Sequence, residues 1–255
     1  MGKQNPVTTA ALKDVFAQFE AQYKRLFGLV TDPTGSRIRK PRSREEIRER
    51  MELSLRRTAA FMAAAGHPER AFKAVQIAGT SGKGSVTLMV AALLRRLGWR
   101  TGHHTSPYLQ TPLEKLVCDN RWIRPSEFSQ LVDDFFALYD NWRTENGAFD
   151  SLLYGEAWVA LTFLYMVQQQ VEWGVIETGL GGRFDPITTV PAELAIITNI
   201  GWDHVQSLGP ALTDIAWQKA GIIKPQQDVI TAVQEPELLA VIAKEAAAQG
   251  ATLFA

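Results

Sequence analysis

The stretch VQIAGTSGKGSV, Val75 to Val86, sets three glycines and a lysine between a short apolar run and a helical pattern. Strand, glycine-rich turn and helix in that order aim several backbone N–H groups and the positive end of a helix dipole at one anion. Gly79, Gly82 and Gly84 allow close backbone approach, and Lys83 supplies a point charge for terminal phosphates. Thr80 or Ser85 offers a hydroxyl to a magnesium ion, and Ser81 and Val86 complete the cradle. The spacing departs from G-x-x-x-x-G-K-[ST], because Ile77 holds the first glycine position and Gly84 the hydroxyl position, with Ser85 one residue later. The competing reading is a polar turn carrying a solvated lysine.

Other chemistry-bearing residues fall where they could meet that loop. Glu177 ends the apolar run WGVIE, and a parallel strand would deliver its carboxylate to the carboxyl edge of a sheet, to bind magnesium or to pair with Arg183. The glycine-rich TGLGGRFD that follows carries Arg183 and Asp185. His204 comes just past LAIIT and reaches the same edge, although a lone histidine is equally compatible with a surface position. Lys219, in IAWQKAGIIKP, falls near the end of a short helix beginning after Pro210, where a lysine ordinarily sits in water. Thr105 and Ser106 follow another strand, with Pro107 fixing the turn, and Glu156 opens a helix whose first turn it would stabilise.

These residues need a sheet to bring them together, and the sequence patterns one. From Ala74 onward, short runs rich in β-branched residues (AVQIA, VEWGVIET, LAIIT, QDVITA) alternate with helical patterns, which predicts an α/β fold with a mostly parallel sheet flanked by helices. The helix after the loop is the best marked: Val86, Met89, Val90, Leu93, Leu94 and Leu97 recur at intervals of three and four, and Gly98 follows as a cap. Upstream, helices are expected over Ala10 to Phe27 and Ile47 to Ala65, separated by the turn-rich basic segment TDPTGSRIRKPRSREE, read as a mobile loop. Downstream, a helix from Pro236 to Gln249 precedes ATLFA, which reads as one more strand.

Composition narrows the function classes. With 255 residues, 46% hydrophobic and 21% charged, the chain can bury a substantial core. Lys plus Arg and Asp plus Glu each total 27, so no net field attracts nucleic acid or anionic membrane. The single cysteine, Cys118, cannot close an intrachain disulfide, and the N-terminus lacks the apolar core of a signal peptide, which makes the cytoplasm the expected compartment. The most apolar segment, Trp158 to Val167, falls short of the roughly 20 residues that span a bilayer and reads as a buried helix.

AGTSGKGSV resembles the ATP-binding loop of the Mur ligase superfamily, and its glycine-rich form with Ser85 is most similar to folylpolyglutamate synthase and dihydrofolate synthase. HTSPYLQTPLEKL from His104, IETGLGGRFDPIT from Ile176 and ITNIGWDHVQSLGPALTDIAWQKAGIIKP from Ile197 follow in that family's order. The resemblance implies a P-loop NTPase-like Mur ligase central domain over 46–255, after an N-terminal helix and mobile loop over 1–45. It implies ATP on Gly79 to Val86 and magnesium at two sites, with Ser85, Glu177, His204 and Lys219 as ligands, Lys219 after carbamylation by CO₂. Thr105, Ser106, Pro107, Tyr108, Glu114 and Arg183 would surround the acceptor. Lys83, Glu177, His204 and Lys219 would carry the chemistry: an acyl phosphate on a folate or dihydropteroate carboxylate, attacked by L-glutamate. Tyr108 stands where the family usually has histidine, Ser81 where it has asparagine, and PLEKL where it has an Asn-Glu-Arg segment. Because the chain stops at the strand-like ATLFA, which would leave an unpaired sheet edge, it is expected to be part of a longer parent or a natural truncation; the resemblance adds that the family normally carries a further Rossmann-type C-terminal domain. The alternatives are an ATP- and magnesium-binding domain without ligase activity alone, and a P-loop ATPase that forms no amide.

Overall fold

The computed structural model of the chain describes residues 9–30, 43–145, 149 and 151–255, the side chains of residues 9–11 excepted. The basic segment between the first two expected helices lies largely outside the described residues.

Eight strands form one sheet: β1 (Lys73–Ala78), β2 (Thr101–His104), β3 (Val117–Cys118), β4 (Arg121–Trp122), β5 (Trp173–Glu177), β6 (Leu194–Ile197), β7 (Asp228–Thr231) and β8 (Thr252–Phe254), in the order β4-β3-β2-β5-β1-β6-β7-β8. The central strands are parallel, as their apolar runs predict, with Ile77 of β1 opposite Glu177 of β5 and Ile196 of β6. Every residue of β1 after Lys73 is buried, as expected of a strand covered on both faces. The exception to parallel pairing is the short antiparallel meander β2-β3-β4, whose turn places Asp119 and Asn120 at positive φ.

On one face, α2 (Arg44–Ala64), α4 (Pro125–Glu145) and α5 (Tyr154–Gln168) build the larger core, in which Phe61, Phe128, Phe135, Trp158 and Phe163 are buried. α1 (Thr9–Phe27) adds Leu26 to that core. A full capping box, Ser43 with Glu46, starts α2. α6 (Val205–Leu208), α7 (Leu212–Ala220) and α8 (Pro236–Gln249) complete a second cluster with Ala195, Ile197 and Val229.

The opposite face is covered differently from what the spacing of the loop helix suggests. α3 (Lys83–Arg96) packs Val86, Val90, Ala91 and Leu94 on Val75, Ile77 and Val175. Met89, Leu93 and Leu97 of the same periodic set stand 64%, 65% and 74% exposed. Ile230 and Phe254, in register with Ile196 of the α3-side cluster, are exposed as well. A period of three to four residues marks apolar positions; it does not tell which of them meet a sheet.

Candidate active site

The glycine-rich loop sits between β1 and α3 at the carboxyl edge of the parallel strands, where open α/β sheets bind ligands. Gly82 caps α3 in the left-handed conformation, so the first-turn N–H groups of a helix, which have no intrahelical acceptors, open from the loop. Lys83 Nζ is folded back on the carbonyl oxygens of Gly79 (3.1 Å) and Thr80 (3.5 Å). The loop is tied to the chain following β6: Thr80 N–H donates to Asn199 O, Ser81 N–H to Asn199 Oδ1, and Thr198 Oγ1 to Ser81 O, while Thr80 Oγ1 exchanges hydrogen bonds with Gly201. A side chain at Gly79 would overlap Thr198 Oγ1, and its φ of 150° disfavours one in any case. Ser85 is exposed on the first turn of α3.

Glu177 closes β5 beside this turn. An ideal Cβ on Gly84 would lie 3.4 Å from Glu177 Oε2, an ordinary contact distance, so the carboxylate rests against the first turn of α3. Burial raises the Glu177 pKa, and the Ser106 N–H (3.0 Å to Oε2) and the charge of Lys83 oppose that rise. Glu177 Oε1 receives no hydrogen bond from the described residues, and Arg183 does not pair with it; Arg183 reaches Glu245 at 2.6 Å and Trp217 O instead. A buried carboxylate with one open oxygen beside a phosphate loop fits magnesium, which takes few protein oxygens and fills its remaining positions with phosphate and water.

Lys219 ends α7 directly beneath the loop, 1% exposed, with Nζ donating to Gly79 O at 2.7 Å and to Asp203 Oδ2 at 3.2 Å. Burial lowers its pKa and Asp203 counters the fall. The other oxygen of Asp203 lies 3.5 Å from His204 Nε2, so Asp203 links the two residues singled out from the sequence. His204 itself is exposed and adopts φ 42° at the start of α6. No three His, Cys, Asp or Glu side chains among the described residues converge as a ready metal cage.

Beside Glu177 opens a mostly apolar cavity of about 540 Å³, lined among others by Ser54, His104, Ser106, Lys115, Tyr154, Trp158, Leu180, Phe184 and Asp185. Its carboxylates are held in place. Glu156 takes a bidentate ion pair from Arg57 (2.7 and 2.6 Å), Ser54 Oγ and the Leu153 N–H, binding α2 to α5. Asp185 accepts the N–H groups of Gly179, Leu180 and Ile187, which offset the upward push of burial on its pKa. His104 places Nδ1 near Lys115 O and Thr162 Oγ1; since that hydroxyl donates to Trp158 O, Nδ1 carries the ring proton. Burial, reinforced by the Lys115 charge, lowers its pKa to about 3, so the ring is neutral.

The remaining residues expected around an acceptor divide. Ser106 lines the cavity, while Thr105 and Pro107 flank it in sequence, Pro107 after a cis peptide bond. Tyr108 is outside the cavity lining, its hydroxyl 3.3 Å from that of Tyr23, which in turn meets that of the lining residue Tyr154 at 3.2 Å. Glu114 faces solvent and accepts the N–H groups of Leu109, Gln110 and Thr111, so it shapes this loop. Arg183 stacks on Trp217, 4.1 Å from its centroid, outside the cavity lining. Asp203, Asn199 and Lys115 were not singled out from the sequence. Asp203 alone carried a signal, its place beside His204.

No protein-family model matches the chain. A dihydrofolate synthase/folylpolyglutamate synthase of Bacillus subtilis is 38% identical over 192 residues, 73% of this chain and 43% of that protein. One from Mycobacterium tuberculosis is 35% identical over 201 residues, 77% of this chain and 40% of that protein. Among solved structures, Mycobacterium tuberculosis folylpolyglutamate synthase complexed with ADP superposes with a TM-score of 0.80 at 30% identity, covering 94% of this chain and 50% of its own. An FPGS–AMPPCP–folate complex gives 0.76 at 27% identity over 84% of this chain and 54% of its own. The chain thus spans less than half the length of these curated relatives. Its fold agrees with theirs, and its identity to both curated relatives exceeds 30% over more than two thirds of its length: the chain belongs to the folylpolyglutamate synthase/dihydrofolate synthase family.

Proposed function

We propose that this chain supplies the nucleotide- and acceptor-binding part of an ATP-dependent ligase that joins L-glutamate to a carboxylate of a folate or dihydropteroate. The observation that carries this reading is the adjacency of the phosphate loop, Glu177 and the 540 Å³ cavity, with Ser106 lining the cavity and donating to Glu177. Relatives complexed with ADP, and with AMPPCP and folate, support it.

In this reading the loop amides and Lys83 hold the ATP phosphates, and the cavity sets the acceptor carboxylate in line with the terminal phosphorus. Transfer forms a mixed carboxylic–phosphoric anhydride and ADP; attack by the glutamate amine on the acyl carbon then expels inorganic phosphate and forms the amide. Ser85 and Glu177 would hold one magnesium ion, and Glu177, His204 and Lys219 a second; when bound, these ions would neutralise charge on the transferring phosphoryl group. For Lys219 to serve, its neutral amine adds to CO₂ and loses one proton, becoming an anionic carbamate. Its burial favours the neutral amine; its ion pair with Asp203 must then be given up. The apolar walls exclude water from the anhydride.

The test is ADP release with magnesium, measured with dihydropteroate or tetrahydrofolate and with or without glutamate. Release that requires acceptor and glutamate supports a ligase; release indifferent to all of them leaves a P-loop ATPase. Nucleotide binding with no release is the result for a domain that needs further chain to act.

A further inference from the structure

A second cavity, of about 360 Å³, opens at the far edge of the sheet, framed by the β3-β4 hairpin, the start of α4 and the end of α5. β2 and α5 each run from the cavity beside Glu177 to this one. His104 and Glu156 line the first; Arg100, just before β2, and Gln169, just after α5, line the second. The helix from Glu156 to Gln169 spans about 20 Å, so the two cavities lie at opposite edges of the sheet.

Three arginines line this cavity, against two carboxylates that are already engaged. Asp119 accepts the Thr101 N–H at 3.0 Å and stands 3.6 Å from Arg100, and Glu127 accepts the Arg124 N–H at 3.0 Å. Arg100 is held by the carbonyl oxygen and the side chain of Gln169. The guanidinium groups of Arg121 and Arg124 make no hydrogen bond or ion pair with any described residue, and Arg121 sits opposite Cys118 in the hairpin register. Exposed arginines alone mark nothing, since water satisfies them. The inner wall adds Tyr165, 4% exposed, whose hydroxyl forms no hydrogen bond with a described residue. That oxygen is not sealed off, and Cys118, Glu127, Arg100 and Asp119 all lie near enough to act on it electrostatically. Burial raises its pKa, so it keeps its proton and can donate. A negatively charged acceptor satisfies this donor and the unpaired guanidinium groups together, and the guanidinium fork matches the paired oxygens of phosphate and carboxylate.

We infer that this cavity is a second ligand site, for a small molecule bearing a phosphate or carboxylate group that Arg121 and Arg124 bind, with Tyr165 donating to it from the inner wall. It draws on none of the residues of the ligase reading. The exposed ring of Trp122, also in the lining, favours a ligand whose flat part stacks beside the charged group.

Calorimetric titration with phenyl phosphate, benzoate and benzyl alcohol tests this, in the Lys83→Ala chain so that the phosphate loop competes least. Phenyl phosphate or benzoate should bind, the tighter of the two naming the group, and benzyl alcohol should bind about tenfold more weakly or worse. Adding Arg121→Gln with Arg124→Gln should weaken the charged probe about tenfold to a hundredfold. Tyr165→Phe should weaken it several-fold yet leave the urea unfolding midpoint unchanged, because the hydroxyl it removes has no partner among the described residues. In the otherwise unmodified chain the double arginine variant should bind AMPPCP as the parent does. No charged probe bound at up to about 10 mM, benzyl alcohol binding as tightly as the charged probes, or full affinity in the double variant overturns the assignment. So does a matching loss of AMPPCP binding, which would assign the arginines to the nucleotide.

Discussion

Lys219 Nζ donates a 2.7 Å hydrogen bond to the carbonyl oxygen of Gly79, the first glycine of the phosphate loop, across 140 residues of sequence. One buried cation thus supports the loop from below while Lys83 reaches the same carbonyl from within the loop. The two lysines have different tasks, and their removal should have different consequences.

Lys83→Ala removes the charge offered to terminal phosphates without touching the sheet. ATP-analogue affinity should fall about tenfold to a hundredfold, with the unfolding midpoint nearly unchanged. Calorimetry with AMPPCP reads this; undiminished affinity would sink the loop assignment.

Gly79→Ala forces a side chain against Thr198 Oγ1 at a backbone angle that L-residues avoid. A loss of about 2–4 kcal/mol is expected in urea unfolding. Adding Thr198→Ala should return part of it, because the overlap is relieved while the backbone strain stays. A single variant as stable as the parent would show that the loop is not packed as described.

Glu156→Gln leaves the Arg57 guanidinium buried without its counter-charge and should cost about 3 kcal/mol. Arg57→Met combined with Glu156→Leu should cost less than the single change. Chemical denaturation distinguishes the two; a larger loss in the double variant would contradict the reading of Glu156 as a structural tie.

His103 and His104 give the stability a pH dependence. Burial lowers their pKa values to about 4 and about 3, whereas the unfolded chain protonates both near the ordinary 6.5. Between those values the unfolded chain binds more protons, so stability falls as pH drops below about 6.5, by roughly 2 kcal/mol per histidine at pH 5. Thermal unfolding at pH 7.5 and pH 5 measures it, and His104→Asn should flatten the curve. A profile that rises towards acid would contradict neutral buried rings.

How far the sequence discloses this site depends on how far each signal reaches along the chain. Lys83 and Glu177 are legible because strand ends in a parallel sheet share one edge, so a local pattern fixes a shared location; Lys219, on helix α7, is signalled by the family resemblance alone. Asn199 and Lys115 meet partners far along the chain, Ser81 and Trp158, and no spacing announces them; Asp203 is announced only by its place beside His204. Arg183, expected only among the residues around the acceptor, pairs with Glu245 on α8, a contact set by how helices pack. The β3-β4 hairpin escaped because two-residue strands are too short for periodicity, although Asp119–Asn120 is a pair suited to positive φ. The outward apolar side of α3 escaped because periodicity cannot report how much of a sheet a single helix covers.

The cross-links from Thr80 and Ser81 to Asn199, Thr198 and Gly201 give the loop its shape before anything arrives. Capture of a nucleotide therefore requires no prior ordering of that segment. Its association rate should follow solvent viscosity and ionic strength as an encounter-limited process does, with no slow unimolecular phase at saturating ligand.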